Sequence, residues 1–197
     1  MKLKSVFLIF FILMITSSCD STPSKTIEPL EQDIQYHFFE KLQSHSRFLI
    51  ETKALYDDNL QGLYYFIKGY HLSQVNKDIY ADLEPIAFKT IETVYSEDVF
   101  VELKNTLYRI DNLVSLLNSS VILENDSMNK QIVMTEDTVS QLYYLGMKIG
   151  PASQQELTLY NLFVYFNHVL DQNSEADILS YLNELDQLIT TLENDLQ

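Results

Sequence analysis

From Ile27 onward, apolar side chains return every three or four positions across nearly the whole chain. That is the repeat of helices that each turn one face to a core. Ile27, Leu30, Ile34, Phe38, Leu42, Leu49 and Tyr56 fall on one stripe, which predicts a first helix of about thirty residues. Leu60 to Gln74 predicts a shorter, tyrosine-rich helix. Residues 79–95 predict another, with Pro85 tolerated at a kink or in the first turn. Ser96 reads as a cap, with Glu97 and Asp98 suited to the positive end of a helix dipole. Phe100, Leu103, Leu107, Ile110, Val114 and Leu117 then step by three and four in a strict seam.

A loop around "NSSVILENDS" precedes a helix predicted over about 130–148 and ended by Gly150-Pro151. Ser153 and Glu156 have capping-box spacing and predict the start of the next helix. Ser174 caps the last one, whose seam is Ile178, Leu182, Leu185, Ile189, Leu192 and Leu196. No segment sustains a period of two. The predicted fold is all-α, an antiparallel bundle of about six to seven helices forming a single domain over residues 27–197. Each seam covers under three heptads, which suits the core of one bundle better than an intermolecular zipper. "LYYFIKG" at 63–69 and "LYYLGMK" at 142–148 are alike, and each precedes a mid-length helix and then a strict seam. A duplicated three-helix unit would produce this, but so would chance among helices rich in Leu and Tyr, and chance is favoured.

The first residues obey a different pattern. Lys2 and Lys4 precede an apolar run from Val6 to Ile15, and Thr16-Ser17-Ser18 stand directly before Cys19, the one cysteine. A positive start, a short apolar segment and small residues at a cut make a secretory signal. The run is shorter than the roughly 20 residues that a membrane-spanning helix needs. Small-small-Cys resembles the lipobox of bacterial lipoproteins, with Thr16 where that family usually has Leu. The resemblance covers residues 1–19 and implies that 1–18 form a signal peptide, that Cys19 carries diacylglycerol and becomes the acylated mature N-terminus, and that residues 19–26 are a tether holding the domain to a cell-envelope membrane. Asp20 follows the cysteine, an arrangement that in enterobacterial lipoproteins implies retention on the periplasmic face of the inner membrane.

Loss of the signal removes two of the 13 basic residues and leaves 11 against 28 acidic ones, a mature net charge of −17. Such a surface repels phosphate backbones, so no nucleic-acid partner is expected; a basic protein partner would suit it, as would simple solubility. Little here points to catalysis. The chain has no Gly-x-Ser-x-Gly elbow, no His-Glu-x-x-His and only four glycines. "DDNLQG" at 57–62 imitates the start of a calcium loop through Asp57, Asn59, Gln61 and Gly62, but its twelfth position is Lys68 where a bidentate Glu is needed, so a polar helix junction broken at Gly62 is the better reading. His37, between Asp33 and Glu40 and near Lys41, fits a solvated ion-pair face. His45, on the apolar stripe, and His168, three residues from Asp171, fit bundle-edge positions better than ligand roles.

No metal or cofactor is predicted. Tyrosines can line a contact surface because they join apolar area to a polar tip. Tyr64, Tyr65, Tyr143 and Tyr144 are therefore the candidate partner-binding residues. The reading favoured by the sequence is a non-catalytic, lipid-anchored module that binds a protein, of the immunity or assembly-factor kind. A small-ligand or metal-binding lipoprotein with a pocket between the tyrosine-rich helices is the alternative.

Overall fold

The computed structural model describes residues 29–75, 84–119, 121–123, 130–132, 134–154 and 156–197. Cys19 and the tether of 19–26 lie outside the described residues, and so do the side chains of Asp33 and His37. The all-α expectation holds. α1 spans Pro29–Asp58, α2 Leu60–Val75, α3 Glu84–Glu92 and α4 Glu97–Ser119. A small antiparallel hairpin, β1 (Val121–Leu123) and β2 (Lys130–Ile132), is followed by α5 (Glu136–Ile149), α6 (Leu159–Val164), α7 (Phe166–Gln172) and α8 (Glu175–Asp195).

The helix ends follow local chemistry, which corrects three expectations. The α1–α2 junction is made by Asn59: its N–H still donates to Leu55 O at 2.7 Å, its carbonyl accepts from Leu63 at 2.9 Å, and its side-chain oxygen accepts from Gly62 N at 2.9 Å. Gly62 therefore sits inside the first turn of α2 and does not break the chain. α5 begins after Thr135, whose hydroxyl accepts from Thr138 N at 3.1 Å, with Glu136 and Asp137 in the first turn. Residues 130–132, expected in that helix, belong to β2. Ser153 Oγ does donate to Glu156 at 2.9 Å, yet the pair closes a turn only. Asn161 Nδ2 donates to Ser153 O and Glu156 O at 2.7 and 2.8 Å and ties up that backbone, and α6 starts at the Thr158 cap instead. Ser174 and Asp177 make the complete capping box of α8. Pro85 is second in α3, where its missing N–H removes no helical bond.

α1 is the hub. It packs most extensively on α5 and also on α6, α2 and α3, while α8 packs on α4 and α5. Successive long helices alternate in direction, as expected of an antiparallel bundle, but α4 and α8 lie side by side and run parallel. Ser96 at the head of α4 hydrogen-bonds Glu175 at the head of α8, and Arg109, further down, reaches Asp186, Thr190 and Glu193. The turn through α6 and α7 sends the chain back, so α8 starts at the same end as α4. Both strict seams are spent inside this one bundle. From Leu103 to Leu117 and from Ile178 to Leu196 all their members are buried, and only Phe100 is half-buried.

α5 comes unusually close to α1. A β-carbon on Gly146 would lie 2.9 Å from Ile50 Cγ1 and 3.0 Å from the Ser46 carbonyl; one on Gly150 would lie 2.2 Å from Ser46 Oγ. Ser46 Oγ donates to Gly146 O at 2.8 Å across this contact, so two glycines and a serine let the backbones meet. About two turns earlier along α1 the core is aromatic, with Phe38 4.4 Å from Phe163 and 5.5 Å from Phe88 between ring centroids.

Candidate functional site

The two tyrosine pairs are carried by α2 and α5, which are joined chiefly through α1. Their faces differ. Tyr64 is 7% exposed, with its ring edge-on to Tyr65 at 5.4 Å, while Tyr65 is 61% exposed. On α5 both Tyr143 and Tyr144 face solvent, at 43% and 47%. Met147, one turn beyond Tyr143, adds 54% exposure to the same side. Buried Leu142, Leu145, Gly146 and Ile149 take the inner side of that helix, so the outer side holds an unbroken run of Ser140, Tyr143, Tyr144 and Met147.

The edge of this face toward α8 is fastened. Tyr144 OH donates to Glu184 Oε1 at 2.9 Å, and Lys148 Nζ lies 3.1 Å from the same oxygen. That ammonium stands 5.4 Å from the Tyr144 ring centre and 5.8 Å from that of Tyr181, whose hydroxyl donates to Lys148 O at 2.8 Å. The hydrogen bonds from Lys148 and then Tyr144 hold the Glu184 carboxyl below its ordinary range. The α5 face is thus an aromatic and methionine surface fastened beside a carboxylate at its α8 edge, with Tyr143 and Met147 at its free centre.

The expectation that His45 lies at the bundle edge is overturned by its burial. Only 4% exposed, the residue is the middle of a chain of polar contacts that links α1, α2 and α4. Nε2 lies 2.8 Å from Asp111 Oδ1, Nδ1 lies 2.8 Å from Tyr70 OH, and that hydroxyl lies 3.0 Å from Ser44 Oγ. Lys41 Nζ closes the other end, 2.7 Å from Asp111 Oδ2. An ionised carboxylate only accepts, so Nε2 of His45 carries a proton and donates it to Asp111. Burial pushes the Tyr70 hydroxyl well above its usual range, which keeps it a donor. Burial works against the Asp111 carboxylate, but the His45 hydrogen bond and the Lys41 charge outweigh it and lower its pKa. Phe48 stacks on Tyr70 at 4.0 Å and seals the network, which is therefore a clasp between helices and not a surface for substrate.

The third polar arrangement is the α4–α8 seam. Arg109 donates to Asp186, to Thr190 Oγ1 at 2.9 Å and to Glu193 Oε2 at 2.6 Å. Above it, Glu97, Asp98, Val101, Glu102, Leu179 and Asn183 line a groove of about 380 Å³ that opens to solvent.

The chain matches no family model, no curated protein and no solved structure. What the molecule does has to be read from its own geometry. Asp57 of the calcium-like stretch is paired with Lys53 at 2.6 Å, and Asn59 caps α2. His168 and Asp171 are exposed on α7. Among the described residues no three His, Cys, Asp or Glu side chains gather as a metal ion requires, and no described helix is long and apolar enough to cross a membrane. Sequence reasoning missed Met147, Arg109 and Asp111. Met147 carries the i, i+4 signal with Tyr143; the other two form pairs too distant in the chain for any local pattern to show.

Proposed function

We propose that this protein is a non-catalytic bacterial envelope lipoprotein, anchored through lipid on Cys19, whose acidic helical domain binds a protein partner through the outer face of α5. The signal layout before Cys19 supports the anchor. The observation that carries the binding role is the exposure of Tyr143, Tyr144 and Met147 on a single helix, two aromatics and a thioether where a solvated face is normally polar. Tyrosine is enriched among residues that dominate binding energy, and methionine adapts its shape to a partner. The −17 charge of the mature chain steers a basic partner and speeds encounter. The fastening of Tyr144 lowers the entropy lost on binding.

The test has two arms. Intact mass of the membrane fraction should show diacylglycerol on Cys19, and Cys19→Ser should release the chain from the membrane; a membrane-bound serine variant would sink the anchor. A partner recovered by crosslinking from position 143 in the native envelope should lose at least tenfold in affinity for Tyr143→Ala or Met147→Ala, mostly through faster dissociation in surface plasmon resonance. Unchanged dissociation in both variants would remove the α5 face from the account.

A further inference from the structure

The helix α2 stands apart in a strongly acidic molecule. None of its 16 residues is Asp or Glu, and its one formal charge is Lys68. Among the other described helices only α6 shares this lack of carboxylates, and its residues from Leu159 to Phe163 are buried. The outward side of α2 is also apolar, with Tyr65 61% and Leu72 64% exposed. Seven positions make almost two full turns, so these side chains lie in line, with exposed Gln61 and Gly69 on the same stripe. A β-carbon on Gly69 would meet nothing within 4 Å, which leaves the backbone open to a flat surface. α2 runs back along α1: Asn59 joins it to the end of α1, and Tyr70 reaches Ser44. Its last turns therefore point toward the head of α1, the end that follows the tether in the chain, and Asp57 and Asp58 stand at the remote end. Phe48 of α1 stacks on α2, whereas Ser46 meets α5. Two positions on a helix differ by about 200°, so α2 and α5 flank α1 on opposite sides.

We infer that the outer face of α2 is a membrane-contact surface. Tyr65 and Leu72 rest in the headgroup layer of the bilayer that holds the Cys19 lipid, and α5 is left facing away from it. The helix lies on the bilayer and does not cross it. Tyrosine suits that layer because its ring is apolar and its tip is wet. An anionic bilayer repels a chain of net charge −17, so the side that approaches is the one whose helix brings no carboxylate. Reach allows it: residues 20–28 extend to at most roughly 30 Å, and Ser44, opposite Tyr70, lies about 22 Å along α1 from Pro29. Once the lipid is inserted the contact is intramolecular, and a few apolar side chains suffice to hold it. The inference rests on the anchoring part of the reading above and adds the orientation in which the anchored domain presents its protein-binding face.

The test places the full lipidated chain in vesicles of phosphatidylethanolamine and phosphatidylglycerol, with a nitroxide on Gly69→Cys or, separately, on Ser140→Cys of α5, followed by electron paramagnetic resonance. With the Cys19 sulfur held by the lipid, the introduced thiol takes the label; label taken up by the wild-type chain would instead fail the anchor reading. The reference is the same label on the Cys19→Ser chain in buffer. At position 69, collision with oxygen should rise and collision with a water-soluble nickel chelate should fall by roughly threefold or more, as for a side chain in the headgroup boundary. Position 140 should show neither change. Tyr65→Ser with Leu72→Ser should return position 69 to its value in buffer while the chain stays on the vesicles. Gln61→Glu with Ser73→Glu should do the same, and Gln61→Lys with Ser73→Lys should keep the contact. A label at 69 as wet on vesicles as in buffer would overturn the inference and leave the anchor standing. Loss of collision with both reagents would assign the face to a protein, a second copy included, and equal changes at 69 and 140 would remove the orientation; either result overturns the proposal.

Discussion

The stretches "LYYFIKG" on α2 and "LYYLGMK" on α5 begin with the same three letters and end in opposite packing. In α2 the inward residues are Leu63, Tyr64 and Ile67, and Gly69 lies in open space, with nothing within 4 Å of where a β-carbon would stand. In α5 they are Leu142, Leu145, Gly146 and Ile149, and the glycine is the point of closest approach to α1. The core face of α5 is turned by about one position relative to that of α2. That turn sends Tyr64 inward and Tyr143 outward. α2 is held to α1 by rings, Phe48 lying between Phe66 and Tyr70 at 5.4 and 4.0 Å, while α5 is held by backbone contact through Ser46, Gly146 and Gly150. A helix that touches its neighbour through glycine keeps its large side chains for the outside, which is why the candidate binding face is on α5.

Phe48→Ala strikes this contrast hardest, since it empties the ring stack under α2 and should lower stability by about 3–5 kcal/mol in urea unfolding. A loss below about 1 kcal/mol would show that rings do not hold α2. Gly150→Ala comes next. Its β-carbon meets Ser46 Oγ, and overpacking of this kind costs about 1–3 kcal/mol. Pairing it with Ser46→Gly should recover part of the loss, and strict additivity in the double-mutant cycle would mean that the two sites do not touch.

Asp111→Asn probes the polar side of the α1–α2 contact. Asp111 is about a third exposed, so a loss of about 1–2 kcal/mol at neutral pH is expected. Because the folded-state pKa is lowered, the stabilisation is fully present above the unfolded carboxyl pKa of about 3.9 and disappears as pH falls through the folded value. The difference between wild type and variant should therefore stay flat from pH 7 to about 5 and shrink below about 4, as followed by urea unfolding across pH; a difference that grew with acid would reverse the assignment. The last and mildest change has the opposite sign. Gly69→Ala, in open space within α2, should stabilise by about 0.5–1 kcal/mol through helix propensity alone, measured the same way.

The parts of this fold that were legible in the sequence are those whose signal is local. The seams of α4 and α8 rest on large aliphatics at steps of three and four, and Ser174 announces its helix with Asp177 three positions later. The hairpin was not legible, because three residues per strand are too few to show a period, and residues 130–132 read as the start of a helix over about 130–148. His45 stood out on an apolar stripe, but its partners Tyr70 and Asp111 are 25 and 66 positions away. Between adjacent tyrosines the helical period could not choose, since a ring at the edge of a face goes in or out according to what its neighbours bury. Parallel α4 and α8 followed from the path through α6 and α7, where a capping-box spacing marked a turn and not a helix.

The hub position of α1 bears on the order of events in folding. Its closest contact joins Ser46 to Gly146, a separation of 100 residues, and its next partner, α6, comes later still. The search for those contacts cannot finish until most of the chain is available, and closing so long a loop before any reward slows the transition state. The first described helix thus waits with its apolar stripe uncovered until α5 and α6 have been made, and the core closes late, around contacts far apart in the chain.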